Sequence, residues 1–517
     1  MKRYVSNLCL LGFALLTLPA ASHAAQGYSR LDEMSLERWA KLRETERYQM
    51  KIAEELFTKQ NYQAAADEYE KFVTLYEASE GAPFAQHKWA MCQVKLKKLN
   101  TAVKDGYQTV IDYWPDSPEA VAAAYLIGQT YKAMGDLPQA KQAYSNVTTK
   151  HGDEMVSVLA RLDLADIARI EQDRDRRVSV LKELVFNAPR VGDAGRQVAE
   201  ASGTLAQLMF EDGSFIDGKN ALATTYKEPN LSREVVHGSQ NRYLGVASVT
   251  GRLVAASETK DKGIKLADAA ISYLREQMPA APKDDAEKSF VKSLTYNMAD
   301  LHSAAGRPEE TSKIYEKMLV DYQGEDDVFD RYAGWLKGRS KRDEARILYG
   351  RMKNLNRAQG RIAYSYVEEQ KYDLAIAIYQ GLLSTDAKFT EGRWDWTLAE
   401  TYQRAGKYKE AIAAFQQCDN FPENLFSIAS CYRAMKQHKE AIGTYTQIIG
   451  AYETRAPQAL LQLAYTHEAA GADETAIATL QQVCKRYPGT GESAQAHQHL
   501  NNRYKITITF GGEAKPK

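Results

Sequence analysis

Apolar side chains recur along most of this chain at the three-and-four spacing of a helix face rather than the two-residue spacing of a strand. They also recur in register. A small residue and a ring three places later stand on one predicted helix, and a second small residue and a ring four places later stand on the next. Gly128 and Tyr131 are followed in this way by Gly135, Ala140 and Tyr144. The same order returns as Ala399, Tyr402, Gly406, Ala411 and Phe415, and as Ala429, Tyr432, Ala441 and Tyr445. Further copies are Ala363, Tyr366, Ala375 and Tyr379, and Ala464, His467, Gly471, Ala476 and Leu480. Weaker ones start at Ala53, Ala90, Ala165, Ala299 and Ala333. The pattern predicts an all-α chain of antiparallel helix hairpins laid end to end. An exception is Lys505–Gly512, where apolar and β-branched polar residues alternate as in a strand. It is expected to fray, to fold onto the last hairpin or to add to a partner's sheet.

Residue size explains the pattern. Two helices cross closely only where side chains such as Ala399 and Ala411 are small, and rings such as Tyr402 and Phe415 fill the wider space beside the crossing. Gly406 and its equivalents end the first helix with a positive φ. These motifs resemble the tetratricopeptide-repeat family, whose 34-residue unit carries this arrangement of small and aromatic residues. The resemblance implies a right-handed superhelical solenoid with first helices lining a concave groove, and a protein or peptide ligand in that groove. Mapped onto this sequence, the groove positions of the later repeats are Arg357, Tyr364, Arg393, Trp396, Glu400, Arg404, Phe426, Arg433 and Tyr465. Rings interspersed with guanidinium groups suit peptide capture. The competing role for Trp394 and Trp396 is packing between hairpins. The lysine and asparagine set that some members use to clamp a terminal carboxylate is not evident here.

The pitch divides the chain. Ala65, Ala102, Ala140 and the aligned Arg177 are 37, 38 and 37 residues apart, whereas Thr311, Ala345, Ala375, Ala411, Ala441 and Ala476 step by 34, 30, 36, 30 and 35. The expected organisation is a leader at 1–24, a first repeat block at 25–190, irregular helical repeats at 191–285, a second block at 286–488, and a capping helix with a tail at 489–517. The loop from Met278 to Asp285 is the candidate hinge. The first block, with its connector Tyr113-Trp114-Pro115-Asp116-Ser117-Pro118, is similar to bacterial envelope proteins of the outer-membrane assembly lipoprotein and Tol-Pal coordinator type.

Met1-Lys2-Arg3, an apolar run from Leu8 to Leu18 and the small residues before Ala24 form the three zones of an export leader, with cleavage expected after Ala24. The run is shorter than the roughly 20 residues a bilayer requires, so no transmembrane segment is expected in the mature chain. A periplasmic or other envelope location follows. Removing Lys2 and Arg3 from 67 basic residues leaves 65 against 67 acidic ones, a net charge of −2 that gives nucleic acid nothing to bind. Cys92, Cys418, Cys431 and Cys484 fall on apolar helix faces and read as buried thiols.

Candidate chemistry is sparse. His497 and His499 are two residues apart and point to different sides of a helix, so they read as the polar face of a cap. Glu368-Glu369 and Glu325-Asp326-Asp327 read as solvated helix ends. No phosphate-cradling glycine loop, nucleophile elbow or cysteine cluster is present in the sequence, so neither a cofactor nor a metal is expected, and an enzyme is not. The expected function is an exported scaffold for protein–protein interactions in the bacterial cell envelope. The alternative is a structural subunit of an export or polysaccharide-secretion apparatus.

Overall fold

The computed structural model describes residues 32–188, 194–239, 242–508 and 514–515. The expected leader lies outside them. The chain is all-α, and it divides into two compact units, one reaching to Ile314 and the other starting at Tyr315.

In the first unit α1 (Leu36–Lys41), α2 (Glu44–Thr58), α3 (Tyr62–Leu75) and α4 (Ala82–Lys95) lead into α5 (Leu99–Thr101). That short helix runs through a π-helical stretch, Ala102–Tyr107, into α6 (Gln108–Tyr113). Then come α7 (Pro118–Met134), α8 (Leu137–Lys150), α9 (Met155–Ile170), α10 (Arg174–Lys182), α11 (Ala194–Glu211) and α12 (Phe215–Ala223). The shorter α13 (Asn230–His237) and α14 (Val246–Ala255) precede α15 (Lys260–Glu276), α16 (Asp285–Ala304) and α17 (Pro308–Asp321), the last of which contains the division. The second unit continues as α18 (Asp326–Gly338), α19 (Arg342–Tyr349), α20 (Leu355–Glu368), α21 (Tyr372–Thr385), α22 (Trp394–Arg404), α23 (Tyr408–Gln417) and α24 (Glu423–Ala434). It closes with α25 (His438–Ala451), α26 (Ala456–Ala469), α27 (Asp473–Arg486) and α28 (Gly491–Tyr504).

One rule builds the hairpins. Four places after the N-cap of each of α3, α8, α19, α21, α23, α25 and α27 stands an alanine: Ala65, Ala140, Ala345, Ala375, Ala411, Ala441 and Ala476. Each is at most 1 % exposed. A further four places on comes a large side chain, Tyr69, Tyr144, Tyr349, Tyr379, Phe415, Tyr445 or Leu480, also buried. The small residue lets the two helices touch, and the large one fills the flare beside the contact, each large side chain contributing about 1.5–3 kcal/mol by its burial. Where space is tighter, glycine replaces alanine. A Cβ on Gly218 of α12 would lie 2.3 Å from the Phe210 ring.

The turn between paired helices is equally uniform, and here the structure goes beyond the glycines. Gly135, Gly406 and Gly471 have φ of 81, 74 and 78°. Gln60, Lys97, Gln172, Ser340, Gln370 and Lys436 adopt the same left-handed conformation with φ between 58 and 64°. The geometry of the hairpin imposes it whatever the residue, at about 1–2 kcal/mol for a side chain with a Cβ.

Two short strand pairs interrupt the helices, Gly238–Ser239 with Tyr243–Leu244 and Thr507–Ile508 with Ala514–Lys515, both antiparallel. Of the alternating tail, Thr507 and Ile508 thus pair with the same chain, and residues 509–512 lie outside the described residues. Cys92, Cys418 and Cys431 are buried free thiols, and Cys484 is a half-buried one.

Candidate partner-binding surfaces

The predicted groove residues lie on the first helices of the second unit, apart from Arg393, which is the N-cap of α22. Trp394, their neighbour, belongs to the core. It is 7 % exposed, its ring centroid is 6.2 Å from that of Tyr379, and its indole N–H donates to the Asp386 carboxylate at 2.7 Å. Gly360 exists to admit it, since a Cβ there would stand 2.5 Å from the indole. Asp386 also accepts from the Thr390 hydroxyl and from the backbone N–H groups of Thr390 and Glu391. Those donors, the Thr390 hydroxyl first, hold its carboxyl down at about 2.

Trp396 and Phe426 occupy equivalent places, three residues before Ala399 and Ala429. Each is half-buried and rests on the ring of its own second helix. Trp396 meets Phe415 edge-on at 5.0 Å, and Phe426 is 6.1 Å from Tyr445. Both pack against one apolar cluster. Arg433 lies close enough to Tyr445 for its charge to oppose the rise that burial imposes on that hydroxyl's pKa, and it donates to Gln462 at 2.8 Å. Tyr465 sits apart, in the closing cluster, with the His499 ring edge-on at 5.1 Å.

The remaining predicted residues are largely engaged within the protein. Arg357 pairs with Asp330 at 2.6 Å, and Arg393 bridges Asp395 and Asp419. Those two carboxylates push the Arg393 guanidinium above its ordinary range. Tyr364 is 46 % exposed, with the Lys337 ammonium 5.4 Å from its ring centre. Glu400 is half-buried and Arg404 exposed. Lys337 meets Glu368 at 2.8 Å, and Arg455 meets Glu423 at 2.7 Å. Sequence reasoning missed these ties between neighbouring repeats.

It also missed a cavity of about 350 Å³ in the first unit, between α7, α9, α10 and α11. Lys132 spans Asp163 at 2.8 Å and Asp166 at 2.7 Å, Tyr125 donates its hydroxyl to Asp163 at 2.7 Å, and Arg169 grips Asp166 at 2.7 Å. Burial works against the Lys132 charge, but the two carboxylates outweigh it and its pKa is raised. Burial likewise works to raise Asp166, but Lys132 and Arg169 hold it below its ordinary value. Arg177, also in the lining, is pushed down by burial and by the like charge of Arg169. The one signal in the sequence was Arg177 itself, standing where the aligned repeats have alanine.

Among the described residues no group of three or more His, Cys, Asp or Glu is placed to hold a metal ion, and no helix is long and apolar enough to cross a membrane. His499 pairs instead with Glu468 at 3.1 Å.

The tetratricopeptide repeat profile matches residues 122–153, 396–424, 423–454 and 458–490, coinciding with α7–α8 and with the three hairpins from α22 to α27. No curated protein matches the chain. Among solved structures it is similar to the crystal structure of the APC/C hetero-tetramer Cut9-Hcn1, at 12 % identity and TM-score 0.26, over 91 % of this chain and 99 % of that one. It is similar to the structure of Naa15/Naa10 bound to HypK-THB, at 12 % identity and TM-score 0.39, over 88 % and 70 %. It is also similar to yeast Tom70, at 14 % identity and TM-score 0.26, over 89 % and 97 %. Nothing about partners follows from likenesses this distant.

Proposed function

We propose that this chain, a tetratricopeptide-repeat protein, is an exported scaffold that holds a protein or peptide of the bacterial cell envelope on the first helices of its repeats. The observation that carries the reading is the placement of Trp396 and Phe426. Their buried edges are fixed on Phe415 and Tyr445, so the half that faces solvent is rigid and offers contact area at small entropic cost. Export is read from Met1–Ala24, whose charged, apolar and small-residue zones have the make-up of a leader. The envelope setting is also supported by the likeness of the first block to assembly and coordinator proteins of that compartment. The loop from Met278 to Asp285, which runs from the end of α15 into the first residue of α16, is the proposed hinge.

The test is affinity capture from envelope extracts with the wild type, Trp396→Ala and Phe426→Ala side by side. A genuine partner is expected to lose about 2 kcal/mol or more of binding with each variant, while circular dichroism and the unfolding midpoint stay close to wild type. Loss of stability with the same partner retained would reassign both rings to packing alone. Amino-terminal sequencing of the native protein should begin at Ala25, and an intact Met1 on a soluble cytoplasmic chain would remove the envelope from the reading.

A further inference from the structure

The hairpin rule fails at Arg177. Four places after the N-cap, the other second helices carry Ala65, Ala102, Ala140, Gly218 or Ala345, and even the exception Thr311 is fully buried and small. In α10 the N-cap is Asp173 and the residue four places on is Arg177. A guanidinium on a four-atom stem does not fit a close crossing, and the cavity described above lies where that side chain stands.

The α9 carboxylates around it are already committed, and Glu200 of α11 adds a third carboxylate to the lining. Asp163 and Asp166 are taken by Lys132, and Asp166 a second time by Arg169. Arg177 is attracted by Asp166 and Glu211 from a distance, yet among the described residues no hydrogen bond or ion pair ends on it. A half-buried cation without a direct partner is unfavourable, and a planar donor fork matches a carboxylate. A second observation points into the same space. Gln197 on α11 is 5 % exposed and lines the cavity, and its buried Oε1 accepts no hydrogen bond among the described residues. The cavity thus presents an unused donor pair and an unused acceptor.

We propose that this cavity receives an acidic side chain of a partner polypeptide, its carboxylate paired with Arg177 and an adjacent N–H accepted by Gln197. A polypeptide is favoured over a free acid because the cavity walls include α7, α9 and α11, the first helices on which the proposed function places a partner. The inference rests on that function and deepens it.

Dodecapeptides displayed as fusions through their C-termini carry no terminal carboxylate, so any carboxylate selected from a random library comes from a side chain. Selection on the full chain is expected to enrich Asp or Glu at one position. Binding of the selected peptides should fall about tenfold or more for Arg177→Ala, for Gln197→Leu, and for Gln or Asn at that peptide position. Arg177→Ala installs the residue found in α8, so its unfolding midpoint should equal or exceed that of wild type, and Gln197→Leu serves as the independent variant. Peptides that bind wild type and both variants within twofold overturn the cavity assignment while leaving the scaffold intact. Saturable binding of free succinate without acidic enrichment among peptides overturns it in favour of a small acid. Recovery of no peptide also overturns it.

Discussion

His87 on α4 shows how a single residue ties stability to pH. It is fully buried, neither ring nitrogen has a hydrogen-bond partner among the described residues, and the Tyr107 ring lies 5.7 Å away. Burial, helped by the Lys88 charge, brings its pKa down from 6.5 to about 3. The unfolded chain therefore takes up the proton first as pH falls. The contribution of neutral His87 is complete above 6.5 and is lost progressively on the way down to about 3. Between pH 6.5 and pH 5 the wild type should lose about 2 kcal/mol of stability through this residue alone. Urea unfolding of wild type and His87→Leu at both pH values isolates it, because titrations common to the two cancel. Equal slopes would move the response to another group. This site was not legible in the sequence, where a histidine beside a lysine resembles an ordinary polar stretch.

At the scale of the helix hairpin much more was legible, for a steric reason. A close crossing admits so few residue types that Ala411 and Ala441 had to be small, and both are fully buried as the spacing required. Ala411→Leu and Ala441→Leu should each cost about 1–3 kcal/mol in thermal or urea unfolding, since the crossing has no room to relax. Arg177→Leu, which puts the same residue at the equivalent place in α10, should cost under about 1 kcal/mol because a cavity stands there. Similar losses at all three positions would contradict the assigned register. The turns were half legible. Glycine announced the left-handed residue at Gly135, Gly406 and Gly471, but Gln172 and Lys436 give no such sign, because the backbone path and not the side chain dictates φ. Trp394 and Trp396 show the limit for surfaces. Two residues apart on one helix, one is core and the other half-exposed, and the space left by Gly360 in the preceding hairpin and by Gly392 admits Trp394 alone.

Across the whole molecule the 67 basic and 67 acidic residues cancel, so charge acts locally, and its local pattern was hidden in the sequence. Partners such as Arg357 and Asp330, or Lys337 and Glu368, are 27 and 31 residues apart, and each is a common surface residue. Neighbouring repeats of the second unit are thus joined in two ways, by apolar packing deep in the seam and by ionic latches between successive first helices. These respond differently to salt, because the Debye length shrinks from about 10 Å at 0.1 M to about 3 Å at 1 M while apolar packing is not screened. Amide exchange along α18, α20, α24 and α26 should therefore quicken in 1 M KCl relative to 0.1 M, with the unfolding midpoint of the chain changing little. Uniform protection at both concentrations would show that the latches carry no tension. Mechanically, the second unit should then behave as a row of plates held by successive apolar clusters, with its compliance set by salt-sensitive clasps. A partner bound as proposed that offers its own charges to Arg357, Lys337 or Glu368 should retune that compliance.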